Sequence, residues 1–131
     1  MNENQISTFE KVQAQLESLH SEISTLSKKV SNDALNKFKL KFVNLAIGQA
    51  NSVLGKHYRP FDDFDQFDEN DLPTNSDVTL ILGQYLNCME KLRADNTERK
   101  EKWDTYQTKL IAIDWYWKGT KIKTGEPKKL K

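Results

Sequence analysis

Phe9, Val12, Leu16, Leu19, Ile23, Leu26 and Val30 recur at alternating spacings of three and four residues. Such spacing places them along one face of a helix as a heptad seam. With Phe9 at an a position, every a and d position from 9 to 30 is apolar. The flanking e and g positions (Gln13, His20 and Ser27; Gln15, Glu22 and Lys29) carry no complementary charge ladder, so nothing dictates what covers the seam. Two covers are open: the chain's own later helices, or a second copy or other partner, in which case these seven residues form an oligomer or docking interface.

Ser31, Asn32 and Asp33 interrupt the seam with side chains that accept the free amide protons of a new first turn. The next stretch, Lys37 to Phe42, alternates like a strand, but the longer window does not. Leu35, Phe38, Phe42, Leu45 and Val53 share one helical face and Leu40, Val43, Ile47, Ala50 and Leu54 the neighbouring one. The pattern predicts a helix over 33–54, with Gly55 as its C-terminal cap. Residues 56–75 hold no regular pattern, and Pro60 and Pro73 keep both ends out of helix. Thr74 and Asp77 resemble a capping box, and Val78, Ile81, Leu82, Tyr85, Leu86, Met89 and Leu92 form a third helical stripe that breaks at Asp95-Asn96-Thr97.

The last apolar segment fits two periods. Trp103, Tyr106, Leu110, Ile113 and Trp117 are spaced as on a helix, whereas Ile111, Ile113, Trp115 and Trp117 alternate as on a strand. Gly119 suits a helix cap in the first reading and the turn of a hairpin joining 110–117 to 120–124 in the second. Three preceding helices and the length of the pattern favour helix; the β-branched and aromatic side chains favour strand.

These patterns predict an all-α helical bundle forming one domain over 1–131, divided into the heptad-bearing helix (1–31), a helical core (32–118) and a basic tail (119–131). At 131 residues there is room for one core. No apolar run approaches a membrane span, no leader pattern opens the chain, and the single Cys88 allows no intrachain disulfide. The expectation is a cytoplasmic protein with no membrane contact.

Net charge is +1, but its distribution is uneven. Between Phe61 and Asp71 stand six acids and no base, and from Lys118 onward six lysines face Glu126 alone. His20, His57 and Cys88 share no zinc-ligand spacing, and the acidic loop lacks the glycine and the ligand register of a calcium loop. No nucleophile–base motif appears either, so no catalytic residue, metal or other cofactor is expected. Two surfaces remain. Phe61, Phe64 and Phe67 among Asp62, Asp63 and Asp65 offer apolar anchors with steering charge for a protein partner, or else pin the loop to the core. Trp115 and Trp117 with Lys118, Lys121, Lys123, Lys128 and Lys129 combine stacking rings with phosphate-neutralising charge and make nucleic acid the alternative partner. The leading expectation is a small non-enzymatic interaction or assembly protein that associates through its first helix, with a nucleic-acid-binding accessory protein as the alternative.

Overall fold

The computed structural model describes residues 1–128. Three helices, α1 (Glu3–Val30), α2 (Lys37–Tyr58) and α3 (Asn75–Asp95), are followed by an antiparallel sheet of β1 (Thr97–Asp104), β2 (Lys109–Trp117) and β3 (Lys123–Thr124) in the order β1-β2-β3. The fold is therefore α+β, and the all-α expectation is corrected. The segment after α3 is a hairpin, because its apolar residues alternate and are β-branched or aromatic. Its partner strand is the charged stretch beginning at Thr97, which carries no apolar period at all. Half of the hairpin reading holds: Gly119, at φ of 72°, sits in the turn from which β3 returns to pair Thr124 with Trp115 and Lys123 with Tyr116.

Local chemistry sets the helix ends. Asn2 and Gln5 cap α1 reciprocally, as do Thr74 and Asp77 for α3. The second helix starts at Lys37 rather than 33, since the Asn36 side chain accepts the Lys39 amide at 2.8 Å. Gly55 takes a φ of 66°, where a side chain would be strained, and one more turn follows it to Tyr58.

The Asn75 side-chain amide donates to Val30 O at 3.0 Å and Ser76 N to Ser31 O at 3.1 Å, so α3 begins where α1 ends and runs back along it. Leu35 N donates to Pro73 O, which puts the starts of α2 and α3 together; at their far ends the Tyr58 hydroxyl donates to Asp95 Oδ2 at 2.7 Å. Thus α2 and α3 are parallel, and the loop of residues 59–74 runs the length of α2 to join them.

The core lies between the helices. Phe9, Leu16 and Ile23 of α1 meet Val43 and Ile47 of α2 and Val78, Leu82, Tyr85 and Met89 of α3, all fully buried, and Trp117 of β2 closes one side. Ile6, Phe9, Val12, Leu16 and Ile23 are buried, Leu19 and Leu26 are partly so, and Val30 at the helix end is exposed. The seam has found its cover within the chain. That leaves little of it for another molecule.

Candidate functional site: a projecting hairpin

The root of the hairpin is welded to the bundle by one buried guanidinium. Arg93 on α3 donates to Glu10 Oε1 at 3.1 Å and Oε2 at 3.2 Å, and also to Gln13 Oε1 and Thr124 Oγ1. Its flat face lies 5.2 Å from the centre of the Phe9 ring and 5.4 Å from that of Trp117. The Trp117 indole donates to the same Glu10 oxygen at 3.3 Å, Gln13 donates to Glu90, and Glu90 Oε2 accepts the Lys128 amide at 3.0 Å. One cation thus holds α1, α3 and strands β2 and β3 together, with its charge balanced by two carboxylates. This hub carries no marker in the sequence, because Gln13, Glu90 and Arg93 look like ordinary polar positions on amphipathic helices.

Beyond the root the ribbon stands clear. From Arg99 to Lys109 every residue except Asp104 is exposed. Cross-strand partners share a face, so the register Arg99↔Trp115, Glu101↔Ile113 and Trp103↔Leu110 gathers an apolar face of Trp103, Leu110, Ile113 and Trp115. The opposite face carries Lys100↔Asp114, Lys102↔Ala112 and Asp104↔Lys109. A bulge between these registers leaves Ile111 unpaired on β2. Trp103 is 51 % exposed, Ile111 58 % and Ile113 43 %. On the apolar face the Trp103 indole donates to Glu101 at 2.9 Å and Arg99 pairs with Glu101 at 2.6 Å; on the other, the Lys100 ammonium sits 4.9 Å from the Tyr116 ring centre. The ribbon is therefore stiffened by its own side chains while its apolar surface stays open. Trp103, Leu110 and Ile113 are the residues of this open face that sequence reasoning did not single out as a site. Trp103 and Ile113 stood out there as part of an apolar stripe, but only the register shows them on one open face.

The acidic aromatic loop is fastened instead to its own helix. Asn44 exchanges two hydrogen bonds with the Phe67 backbone, at 2.9 and 3.0 Å, and two turns further along α2 Asn51 donates to Phe64 O at 3.2 Å. Arg59 donates to Phe61 O at 3.0 Å and pairs with Asp65 at 3.1 Å. Phe61, Phe64 and Phe67 stack edge to face in sequence, with only Phe61 exposed, while Asp62, Asp63 and Asp65 face solvent.

The basic tail is not assembled into one surface. Trp117 is buried and Trp115 half-buried. Lys118 donates to Asp95 O at 3.0 Å, Lys123 faces Asp114 at 3.7 Å and Lys128 faces Glu17 at 3.8 Å, while Lys121 is exposed and Lys129 lies outside the described residues. The hairpin adds no basic field. Its bases Arg99, Lys100, Lys102 and Lys109 are matched by Glu98, Glu101, Asp104 and Asp114.

Burial raises the Cys88 thiol above its ordinary value and does the same to the Tyr85 phenol, so both stay protonated at neutral pH. Among the described residues no cluster of three or more His, Cys, Asp or Glu side chains is placed to hold a metal ion, and no helix is long and apolar enough to cross a membrane. Comparison with protein-family models, curated proteins and solved structures found no match. The site is defined by its own geometry: a helical platform carrying a two-stranded arm with one apolar face.

Proposed function

We propose that this is a small non-enzymatic interaction or assembly protein that engages a protein partner through the apolar face of the β1–β2 hairpin. The observation that carries the reading is the half-open exposure of Trp103 and Ile113 on one face of a ribbon whose root alone, at Trp117, serves the core. Covering a large apolar side chain is worth about 1.5–3 kcal/mol. An aromatic anchor in an apolar patch with a charged rim is the composition of interface hot spots. Association through the seam of α1 gives way to association through the hairpin, since the seam residues pack in the chain's own core. A cytoplasmic setting suits the unpaired Cys88.

The test is a quantitative affinity purification of the full chain from its native cells, comparing wild type with a Trp103→Ser, Ile113→Ser variant. Proteins captured by the wild type and lost with the variant, at unchanged circular dichroism and thermal midpoint, are expected. Identical captures from both would overturn the hairpin's role.

A further inference from the structure

We infer that the outer edge of β2 is a self-complementary pairing edge and that its occupant is a second copy of this chain, joined antiparallel, β2 to β2, about a two-fold axis. The inference rests on the reading of the hairpin as an interaction element and names its partner.

On its inner side β2 is paired with β1 except at Ile111, but on its outer side β3 covers only Trp115 and Tyr116. The backbone from Lys109 to Asp114 therefore has no strand partner on that side among the described residues, and an open edge of this kind is a template for a further strand. The window is bounded by β3 at one end and at the other by the turn at Thr108, which bends toward β1 and away from the edge. A six-residue segment fits it, and the same segment of a second chain has that length.

Side-chain chemistry then selects the register. Lys109 stands at one end of the window and Asp114 at the other. Antiparallel pairing of 109 with 114 and 110 with 113 of the second copy, with Ile111 and Ala112 at the axis, puts each lysine opposite an aspartate, twice by symmetry. In a regular strand this register would fail, because residues 109 and 114 would point to opposite faces. The bulge at Ile111 removes the conflict: Lys109 shares a face with Asp104, and Asp114 shares that same face with Lys100. Leu110 and Ile113 both lie on the other face by their pairing with Trp103 and Glu101.

The joined sheet would carry rows that agree across four strands. One reads Asp104, Lys109, then Asp114 and Lys100 of the second copy, alternating in sign at every step. The row beside it sets the half-buried Leu110 against Ile113, which the single chain leaves 43 % exposed. Opposed charges and apolar cross-strand pairs each favour such a register, and like charges oppose it.

The decisive experiment is a charge-swap mixing test on the full-length protein by analytical ultracentrifugation. Lys109 and Asp114 lie about 16 Å apart along one strand, so they do not compensate each other within a chain. Wild type is expected to show a concentration-dependent dimer. Lys109→Asp alone and Asp114→Lys alone, the latter also removing the Lys123–Asp114 pair of its own chain, should each weaken it by about tenfold or more, since each sets two like-charged pairs across the axis. An equimolar mixture of the two variants should restore a heterodimer, in which both pairs are again opposite in sign. Wild type that stays monomeric up to about 1 mM, single variants that dimerise as well as wild type, or a mixture no tighter than its components would each overturn the proposal. Hydrogen exchange of the wild type at low and high concentration gives a readout that needs no variant. Protection of residues 109–114 should rise with concentration, and unchanged protection would overturn the proposal. A monomeric chain that still loses its captured partners on Trp103→Ser, Ile113→Ser substitution would leave the interaction reading standing and remove only this one.

Discussion

The Trp117 indole meets the Phe9 ring edge-on, 5.1 Å between centres and 75° between planes, and through this contact the end of the longest strand becomes part of the helical core. Both side chains are essentially inaccessible to solvent. The sheet's other ties to the bundle lie at the same root, through Arg93 to Thr124 and Lys118 to Asp95 O. Trp117→Ala should therefore cost about 3–5 kcal/mol in denaturant unfolding and raise hydrogen exchange throughout Thr97–Asp104. Trp115→Ala, at a half-buried site beyond the core, should cost clearly less. Equal losses at the two positions would show that the anchor is not at Trp117.

Arg93 is expected to be the most sensitive polar position. Its side chain is 8 % exposed and that of Glu90 10 %, whereas Glu10 keeps 43 %. Removing the guanidinium leaves Glu90 and Gln13 buried without their cation, while Glu10 is relieved by water. Arg93→Met should destabilise by about 3 kcal/mol, near the low end for a broken buried pair because of that relief. Adding Glu90→Gln to Arg93→Met should recover about 1 kcal/mol by removing the stranded charge. The comparison is a double-mutant cycle on unfolding free energies, with strict additivity as the contrary result.

Tyr85 gives the fold a pH dependence at the alkaline end. Its ring is buried between the helices, its hydroxyl donates to Asn51 Oδ1 at 2.7 Å, and burial, the leading cause, holds its pKa above the ordinary tyrosine value of 10.0. The folded state therefore keeps a proton that the unfolded chain gives up first. The stability this contributes is complete below pH 10.0, the unfolded value, and is lost as pH rises through the folded one. Tyr85→Phe should cost about 1–2 kcal/mol at neutral pH through the unpaired Asn51, yet show a flatter decline in urea midpoint above pH 10.0 than wild type. Parallel declines in the two proteins would assign the alkaline loss to other groups.

How far the chain could be read before its structure was seen follows from where burial leaves a mark. Helices α1 to α3 are amphipathic against one core, so Phe9 and Leu16, Val43 and Ile47, and Val78 and Leu82 recur at helical spacing, and the Thr74–Asp77 box marks a true start. Strand β1 leaves no such mark. Glu98 to Lys102 are five consecutive charged residues wetted on both faces, and their pairing with β2 depends on backbone hydrogen bonds that no side-chain period records. Trp103, Leu110, Ile113 and Trp117 are spaced as on a helix yet share one face of the sheet, because the bulge at Ile111 offsets the alternation by one residue. The hub was hidden for the opposite reason: Gln13, Glu90 and Arg93 are polar residues that bury only because they satisfy one another. In the loop, Phe61, Phe64 and Phe67 were conspicuous, but their fastening by Asn44 and Asn51 was not, since two asparagines seven apart resemble any solvated helix face.

That fastening yields the last prediction. Asn44 uses its carboxamide as both donor and acceptor against the Phe67 backbone, the geometry of a strand pairing made by one side chain. Its loss strands an N–H and a C=O in a half-buried segment, each able to recover only partly through water. Asn44→Ala should cost about 1–3 kcal/mol on that ground and speed chymotrypsin cleavage after Phe64 and Phe67 under native conditions. Asn44→Asp keeps the acceptor for the Phe67 amide but turns its other oxygen toward a carbonyl, so it should be cleaved no more slowly than the alanine variant. Arg59→Ala releases the opposite end of the loop, at Phe61 and Asp65, and should shift cleavage toward Phe61. If cleavage at Phe67 were unchanged in Asn44→Ala, the Phe67 end of the loop would be held by its stacked phenylalanines, and the Asn44 bonds would be incidental to it.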